Sequence, residues 1–303
     1  MDFRLKGLDS TRVWSYVPTM FATLTIPDKP VAPKAPRSLP GSLPTASVLS
    51  PAVPSPAIAL LRQRIARIER IHIRDPAERS LSQPSLPLGI EAIDAALPTG
   101  GIRPGALHEA ASAGSDTEHA AAATLFTAGI LARLEGPVLW VLRQADLFAP
   151  GLAGAGLHPN RVVFAEAGKQ VLAVMEEGLR HSGLAAVVAE HTGRLSLVAS
   201  RRLQLAAEQA GILAILIRRS PIFDDPALNE PTAAATSWRI AALPSPPALP
   251  HAPDTPGLGR ARWRLDLTRC RGGQPGSWIV EACDATGRLG LVPGTINRSS
   301  QVA

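Results

Sequence analysis

The sequence predicts an α/β fold in which a mainly parallel, twisted sheet is flanked by helices and ends in an antiparallel β-hairpin. The first observation is a series of short segments that are mainly apolar on both faces and are separated by helical patterns. Such segments are typical of the strands of a parallel sheet that is covered on both sides. These runs cover residues 106–111, 138–142, 162–165, 185–189 and 212–217. The second is that apolar and polar residues alternate after residue 235, in TSWRIA, RWRLDLTRCR and GSWIVEACD. The turn residues GGQPG join the last two segments into a predicted hairpin.

The helical patterns between the strands lie at about 117–134, 146–155, 170–182 and 194–210. Together with the strands they form one predicted domain over residues 81–292, which contains a Pro-rich loop at 244–257 and precedes a C-terminal tail at 293–303. A chain of 303 residues with 46% hydrophobic content can bury a core of this size.

The composition excludes several classes of protein. The two cysteines, Cys270 and Cys283, are too few for a disulfide framework and lack the paired spacing of a zinc site. The histidines are scattered without ligand spacing, so we expect no metal. No apolar run approaches the roughly 20 residues that span a bilayer. We therefore expect a cytoplasmic protein without membrane association.

The N-terminal segment carries the excess of positive charge. Residues 1–80 hold 12 Lys/Arg against 6 Asp/Glu, within a net charge of +6 for the chain. Residues 27–56 are rich in Pro, Ala and Ser and lack any apolar period, which is typical of disorder. The sequence thus predicts a disordered arm over residues 1–56. A basic tail is compatible with a polyanionic partner, although a solvated, disordered tail is the simpler explanation of the charge alone.

An amphipathic, arginine-rich helix and linker are predicted over residues 57–80. Four apolar residues fall at helical spacing and arginines surround them. The candidate partner-binding residues are Ile58, Leu61, Arg62, Ile65, Arg67 and Ile68. The helix is too short to be stable alone, so its apolar stripe docks either on its own domain or on another chain.

The order of motifs resembles a known family. LPLGIEAIDAALPTGGIRPGALHEA is similar to the entry of the RecA-type ATPase core, and the likeness continues to the RWRLDLTRCR hairpin, covering roughly residues 86–292. More narrowly, the phrases GALHE, AAATLFTAGILARL, RLSLVASRRLQLAAE, PTAAATSWR and SWIVEACDATGRL resemble the ImuA family. This resemblance implies a RecA-like core.

The resemblance also locates a degenerate phosphate loop in HEAASAGSDTEHAAAAT. A working loop, G-x-x-x-x-G-K-[ST], uses glycines for backbone shape, a lysine for phosphate charge and a hydroxyl for magnesium. Placing Glu109 before the loop puts Ser112 and Thr117 at the glycines, Glu118 at the lysine and His119 at the hydroxyl. A carboxylate in the lysine position repels phosphate. We therefore expect no nucleotide cofactor, and Asp116 or Thr117 as the cap of the following helix.

Other candidate catalytic positions are weak. Asp146 lies near the position of the water-activating acid in RecA-type ATPases, and Glu190 ends the strand that carries their magnesium-orienting acid. Asp146 is as readily explained as a helix cap, and Glu190 has no magnesium to act on without a phosphate loop. No Ser-His-acid arrangement is recognisable, so the sequence predicts no catalytic residue.

Four arginines are candidate DNA contacts: Arg201, Arg202, Arg262 and Arg264. The first two lie near elements that carry DNA-binding loops in RecA-type proteins, and the last two alternate with Trp263 in the predicted hairpin. Phosphate contacts need only positive charge and reach. Ion pairs on a helix surface, or a solvated arginine face on a hairpin, are the alternatives. The acidic loop SPIFDDPALNEPTAAATS replaces a recognisable DNA-binding loop.

The resemblance implies a non-catalytic accessory protein of SOS-induced, error-prone translesion DNA synthesis. Its implied partners are an ImuB-type inactive Y-family polymerase, an error-prone replicative-type polymerase indirectly and, as a further candidate, RecA. Two alternatives from other classes remain open. A DNA-stimulated RecA-like ATPase would be stabilised by nucleotide, and a SulA-like inhibitor of cell division would block polymerisation of the tubulin-like division protein.

Overall fold

The computed structural model describes residues 12–17, 20–21 and 84–292, apart from residues 182, 250, 253, 256 and 257. Its strands are β1 (Arg12–Val17), β2 (Met20–Phe21), β3 (Leu107–Ser112), β4 (Val138–Leu142), β5 (Val162–Glu166), β6 (Ala186–Thr192), β7 (Leu213–Arg219), β8 (Thr236–Leu243), β9 (Arg262–Cys270), β10 (Gly276–Glu281) and β11 (Gly290–Leu291). Its α-helices are α1 (Glu91–Asp94), α2 (Asp116–Ala132), α3 (Val171–Leu179) and α4 (Leu197–Ala210). None of these helices is long and apolar enough to cross a bilayer.

All the described strands form one mixed sheet. Their order is β11-β10-β9-β8-β3-β7-β6-β4-β5-β1-β2. Strands β8, β3, β7, β6, β4 and β5 are parallel, whereas β9, β10 and β11 extend one side and β1 and β2 the other as antiparallel strands. This order confirms the predicted α/β class, with a RecA-like core and a C-terminal antiparallel hairpin.

A hydrophobic core lies on each face of the sheet. On one face Trp140 of β4 and Trp238 of β8 pack with Phe126 of α2 in one cluster of buried residues. On the other, Leu139 of β4 joins the buried residues of α3 and α4. Because successive side chains of a strand point to opposite faces, a strand buried on both faces reads as a continuous apolar run. The parallel strands are therefore the elements that the sequence predicts best.

Two sequence predictions need correction. The helix expected at 146–155 is instead a 3₁₀ helix at Ala149–Ala155, followed by a further 3₁₀ turn at Pro159–Arg161, because residues 149–161 are rich in glycine and proline. The arm at 1–56 was expected to be disordered, but β1 pairs antiparallel with β5 and β2 pairs with β1. The backbone of β1 binds the free edge of β5, a strand far away in the sequence. Such a pairing does not require an apolar period in the sequence of β1. The remaining arm, the segment 57–80 and the tail 293–303 lie outside the described residues.

A buried histidine at the amino end of the sheet predicts a dependence of stability on pH. The Nδ1 atom of His108 is 2.8 Å from the hydroxyl of Thr236, and its Nε2 atom is 2.9 Å from the carbonyl oxygen of Arg103. Burial lowers the pKa of His108 from 6.5 to about 4, so the imidazole is neutral in the folded protein at neutral pH.

As pH falls from 6.5 to about 4, the unfolded chain takes up a proton at His108 that the folded chain does not. The free energy of unfolding therefore decreases as pH falls through this window, by at most about 3 kcal/mol from this residue. We expect His108→Gln to flatten the pH dependence of urea unfolding between pH 7 and pH 4.5. Equal slopes for the wild type and the variant would contradict this assignment.

Candidate functional site

The connection between β3 and α2 lies where the resemblance places a phosphate loop. Only three residues, 113–115, join the last residue of β3, Ser112, to the first of α2, Asp116. The helix thus begins before Thr117, and the predicted loop positions Thr117, Glu118 and His119 form its first turn. Its N-cap is Ser115, whose side chain accepts from the backbone N–H of Thr117. The expectation that Asp116 or Thr117 caps the helix was wrong by one or two positions.

The polar groups of this turn have partners within the protein. The backbone N–H of Asp116 donates to the carbonyl oxygen of Ser220 at 2.9 Å, and the hydroxyl of Ser112 donates to the Asp116 carboxylate at 2.9 Å. His119 is buried, and its Nδ1 atom accepts from the backbone N–H of Ala242 at 3.2 Å. Glu118 is exposed, with 68% of its side chain accessible. The turn fixes α2 against β7 and β8.

An open cleft of about 540 Å³ lies beside this turn, at the carboxyl ends of the parallel strands. The cleft is lined by Asp116, Thr117, Ala120, Arg143, Gln144, Asp146, Glu190, Thr192, Arg219 and Pro221. Glu190 is buried, and it accepts from the indole N–H of Trp140 at 2.9 Å and pairs with Nε of Arg219 at 2.9 Å. Asp146 is 63% exposed and lies 4.0 Å from Arg219.

The charges of the cleft are fixed by burial and by these pairs. Burial raises the pKa of Glu190, an effect that Arg219 and the indole of Trp140 oppose. Burial also raises the pKa of Asp116, against the hydrogen bond from Ser112. The three carboxylates line the same cleft, but no group of three His, Cys, Asp or Glu in the described part of the chain is placed to hold a metal ion. The cleft offers acidic and basic groups without a metal-ligand set.

Four arginines, of which Arg218 is fully buried, hold the loop between β7 and β8 against the sheet. Arg218 is 1% exposed and donates to the carbonyl oxygens of Gly193 and Ala227 at 2.9 and 3.1 Å. Arg239 donates to the carbonyl oxygen of Leu228. Arg271 and Arg269 bind the loop at Ala233 and Thr232. Sequence patterns gave no sign of this arrangement beyond the unusual pair of arginines at the end of a buried strand.

One carboxylate lies beneath this loop. Glu109 of β3 is 2% exposed; its carboxylate is 3.8 Å from Arg218 and 3.6 Å from Arg269, and it accepts from the hydroxyl of Ser237 at 3.2 Å. Buried charges are stable only when paired. Two arginines near the carboxyl edge are therefore paired with buried carboxylates of the protein itself, Arg218 with Glu109 and Arg219 with Glu190.

The candidate DNA contacts occupy two places on one side of the sheet. Arg201 and Arg202 are exposed on α4, where Arg202 pairs with Glu176 of α3 at 2.6 Å. Arg262 and Arg264 lie on β9, on the sheet face opposite the buried Trp263. Arg264 pairs with Asp266 at 3.1 Å. Each pair has an acidic neighbour, Glu176 at Arg202 and Asp266 at Arg264, which offsets part of its positive charge.

The comparison with known proteins decides the family. Over 212 residues the chain is 41% identical to the proteins named ImuA from two strains of Caulobacter vibrioides, covering 67% of this chain and 85% of each relative. The chain belongs to the ImuA family. The match covers most of the length of each relative. No family model matches the chain.

Among solved structures, the RadB recombinase covers 68% of this chain, with 99% of its own length aligned, a TM-score of 0.47 and 18% sequence identity. The fold assignment of this ImuA-family chain rests on its own strand order, described above.

Proposed function

We propose that this ImuA-family protein is a non-catalytic adaptor in SOS-induced, error-prone translesion DNA synthesis in the bacterial cytoplasm. It works with an ImuB-type inactive Y-family polymerase and, through it, with an error-prone replicative-type polymerase; RecA is a further candidate partner. Family membership supports this proposal. The RecA-like fold supports it as well, because such a fold still offers surfaces for partners when it carries no chemistry.

The observation that carries the non-catalytic part is the turn between β3 and α2. Phosphate binding requires free backbone N–H groups that surround the anion. Here the N–H of Asp116 binds Ser220 and that of Thr117 binds Ser115. Glu118 adds negative charge where a loop of this type carries its lysine. We infer that the residues of the phosphate loop have been lost, and that the turn now serves to anchor α2.

Partner contact is assigned to the arginine-rich segment 57–80, through Ile58, Leu61, Arg62, Ile65, Arg67 and Ile68. Weak DNA contact is assigned to Arg201, Arg202, Arg262 and Arg264. The hydrogen bonds that fix the β7–β8 loop support a minor role for DNA, since a loop held at Ala227, Leu228 and Ala233 is not free to follow a nucleic-acid backbone.

The double variant Ile65→Asp/Ile68→Asp tests the adaptor function. Two charges in the apolar stripe cost several kcal/mol to any contact the stripe makes. We expect the variant to remain folded and to lose co-purification with the ImuB-type polymerase at least about tenfold. The measurement is a pull-down of purified proteins, with circular dichroism as the test of folding.

The matched control is Gln63→Asp/Ala66→Asp, which adds the same charge away from the stripe and is expected to bind as the wild type does. Unfolding of the Ile65/Ile68 variant would place the segment in the core of its own domain. Undiminished co-purification would exclude the segment as the contact, and a wild-type protein without affinity for the polymerase would refute the adaptor function.

A further inference from the structure

Exposed hydrophobic side chains gather at the carboxyl ends of three neighbouring strands. Phe148 follows β4, Leu197 and Val198 follow β6, and Ile222 and Phe223 follow β7. Their exposed fractions run from 53% for Ile222 to 74% for Phe223. Strands β4, β6 and β7 are adjacent in the sheet, so these five residues lie along the same end of the sheet and are called here the apolar edge. Contiguous exposed apolar surface marks a binding site for another segment or chain.

The apolar edge continues from the cleft, since Pro221 lines the cleft and directly precedes Ile222 and Phe223. Asp116, Asp146 and Glu190 line the cleft, and the exposed Glu118 and Asp224 adjoin its turn and the apolar edge. The cleft lining itself holds three carboxylates and two guanidinium groups, and the guanidinium of Arg219 is paired with Glu190. The surface is thus apolar at its rim and net negative. Such a surface complements a segment that combines apolar residues with arginines.

We propose that the arginine-rich segment 57–72 of this same chain docks on the apolar edge and cleft. Its sequence places Ile58, Leu61, Ile65 and Ile68 on one predicted helical stripe, with Arg62, Arg64, Arg67 and Arg70 around it. Its only acidic residue up to residue 72 is Glu69. The apolar stripe covers the exposed phenylalanines, while the arginines meet the carboxylates of the cleft. No other stretch of the chain outside the described residues combines the two features as closely.

The length of the connection allows this docking. The described chain resumes at residue 84, and Leu86 pairs with Ile102, ahead of β3. Arg133 at the end of α2 donates to the carbonyl oxygen of Pro87, which places this part of the chain at the amino end of the sheet. The cleft lies at the opposite end, and a strand of six residues such as β3 is about 20 Å long. Residues 73–83 can extend to about 36–40 Å, so the segment reaches the cleft.

Docking of the segment would affect how the proposed adaptor binds its partner, although the docking itself does not depend on the adaptor function. In the free protein the stripe is covered by the chain itself, and a partner that uses the same stripe must displace it. A short tether raises the effective concentration of the segment at its own cleft, so docking within one chain is favoured over docking between chains.

Limited proteolysis of the full-length chain tests the proposal. Trypsin cleaves after the arginines of the segment, and a docked segment is cleaved only when it opens. The double variant Phe148→Ser/Phe223→Ser removes two side chains that are 73% and 74% exposed, so it is expected to remain folded. We expect cleavage at Arg62, Arg64, Arg67 and Arg70 to become about tenfold faster in this variant. The control Leu291→Ser, at a 69% exposed residue on β11, is expected to be cleaved at the wild-type rate.

A second measurement uses a fluorescent peptide of residues 57–72 added to the full-length Ile65→Asp/Ile68→Asp chain, whose own segment is impaired. We expect binding that weakens with salt and that is lost when Phe148→Ser/Phe223→Ser is introduced as well. The proposal would be overturned if the wild type and the edge variant were cleaved at equal rates. It would also be overturned if the peptide bound equally well with and without the edge substitutions. Neither result depends on the polymerase, so failure here is distinguishable from failure of the adaptor function.

Discussion

Replacing Arg218 with methionine is expected to lower the free energy of unfolding by about 3–5 kcal/mol. The guanidinium of Arg218 is buried beside the buried carboxylate of Glu109. Burial lowers the pKa of Arg218, an effect that Glu109 opposes. The variant leaves Glu109 with Arg269 and Ser237 alone. It also removes two hydrogen bonds, one to Gly193 in the β6–α4 connection and one to Ala227 in the β7–β8 loop.

Equilibrium urea unfolding at pH 7 measures this effect. The control is Arg201→Met, at an exposed residue of α4, for which we expect a change within about 0.5 kcal/mol. The double variant Arg218→Met/Glu109→Gln is expected to be more stable than Arg218→Met, because it also removes the uncompensated charge. A single variant as stable as the wild type would show that Arg218 is not part of the network that holds the loop.

Replacing Trp238 with alanine is expected to cost a similar amount, about 3–5 kcal/mol. Trp238 of β8 is 1% exposed, and its ring lies 5.7 Å from that of Phe126 in α2 and 6.3 Å from that of Trp278 in β10. Its indole N–H donates to the hydroxyl of Thr236 at 2.9 Å. The variant leaves a cavity where α2, the parallel strands and the hairpin meet. It also removes the indole N–H that donates to Thr236.

The melting temperature and the urea midpoint are the appropriate measurements for this variant. Trp238→Phe keeps an aromatic ring and is expected to lose less stability than Trp238→Ala. If both variants melted with the wild type, the hairpin would not be joined to the parallel part of the sheet through this residue.

Much of the fold is predictable from sequence because strands β3 to β7 are buried on both faces. An apolar run such as VLWVL or LAILIRR predicts a buried strand from its own sequence. The alternation of apolar and polar residues does the same for β9 and β10. By contrast, β1 depends on backbone bonds to a strand about 150 residues away, which leaves no local pattern. The 3₁₀ turns at Ala149–Ala155 show that helical spacing of apolar residues does not produce an α-helix where glycine and proline are frequent.

The candidate site was less predictable than the fold. Sequence reasoning placed Ser112, Thr117, Glu118 and His119 at the positions of one degenerate phosphate loop, because they lie between a predicted strand and the helix that follows it. It did not show that His119 accepts from Ala242, or that Glu190 is held by Trp140 and Arg219, since these pairs join distant parts of the chain. The apolar edge was also missed, because exposure of single residues such as Phe148 and Phe223 depends on what the fold leaves uncovered.

We propose that this protein acts without nucleotide. Calorimetric titration of magnesium-ATP into the purified full-length chain, with and without single-stranded DNA, tests it most directly. The turn between β3 and α2 predicts no measurable binding at millimolar nucleotide, and no hydrolysis stimulated by DNA. Glu118→Lys/His119→Thr is expected to leave both results unchanged, because α2 still begins at Asp116. A dissociation constant of about 100 μM or tighter for the wild type, which corresponds to more than roughly 5 kcal/mol of binding, would contradict the claim and favour a DNA-stimulated ATPase.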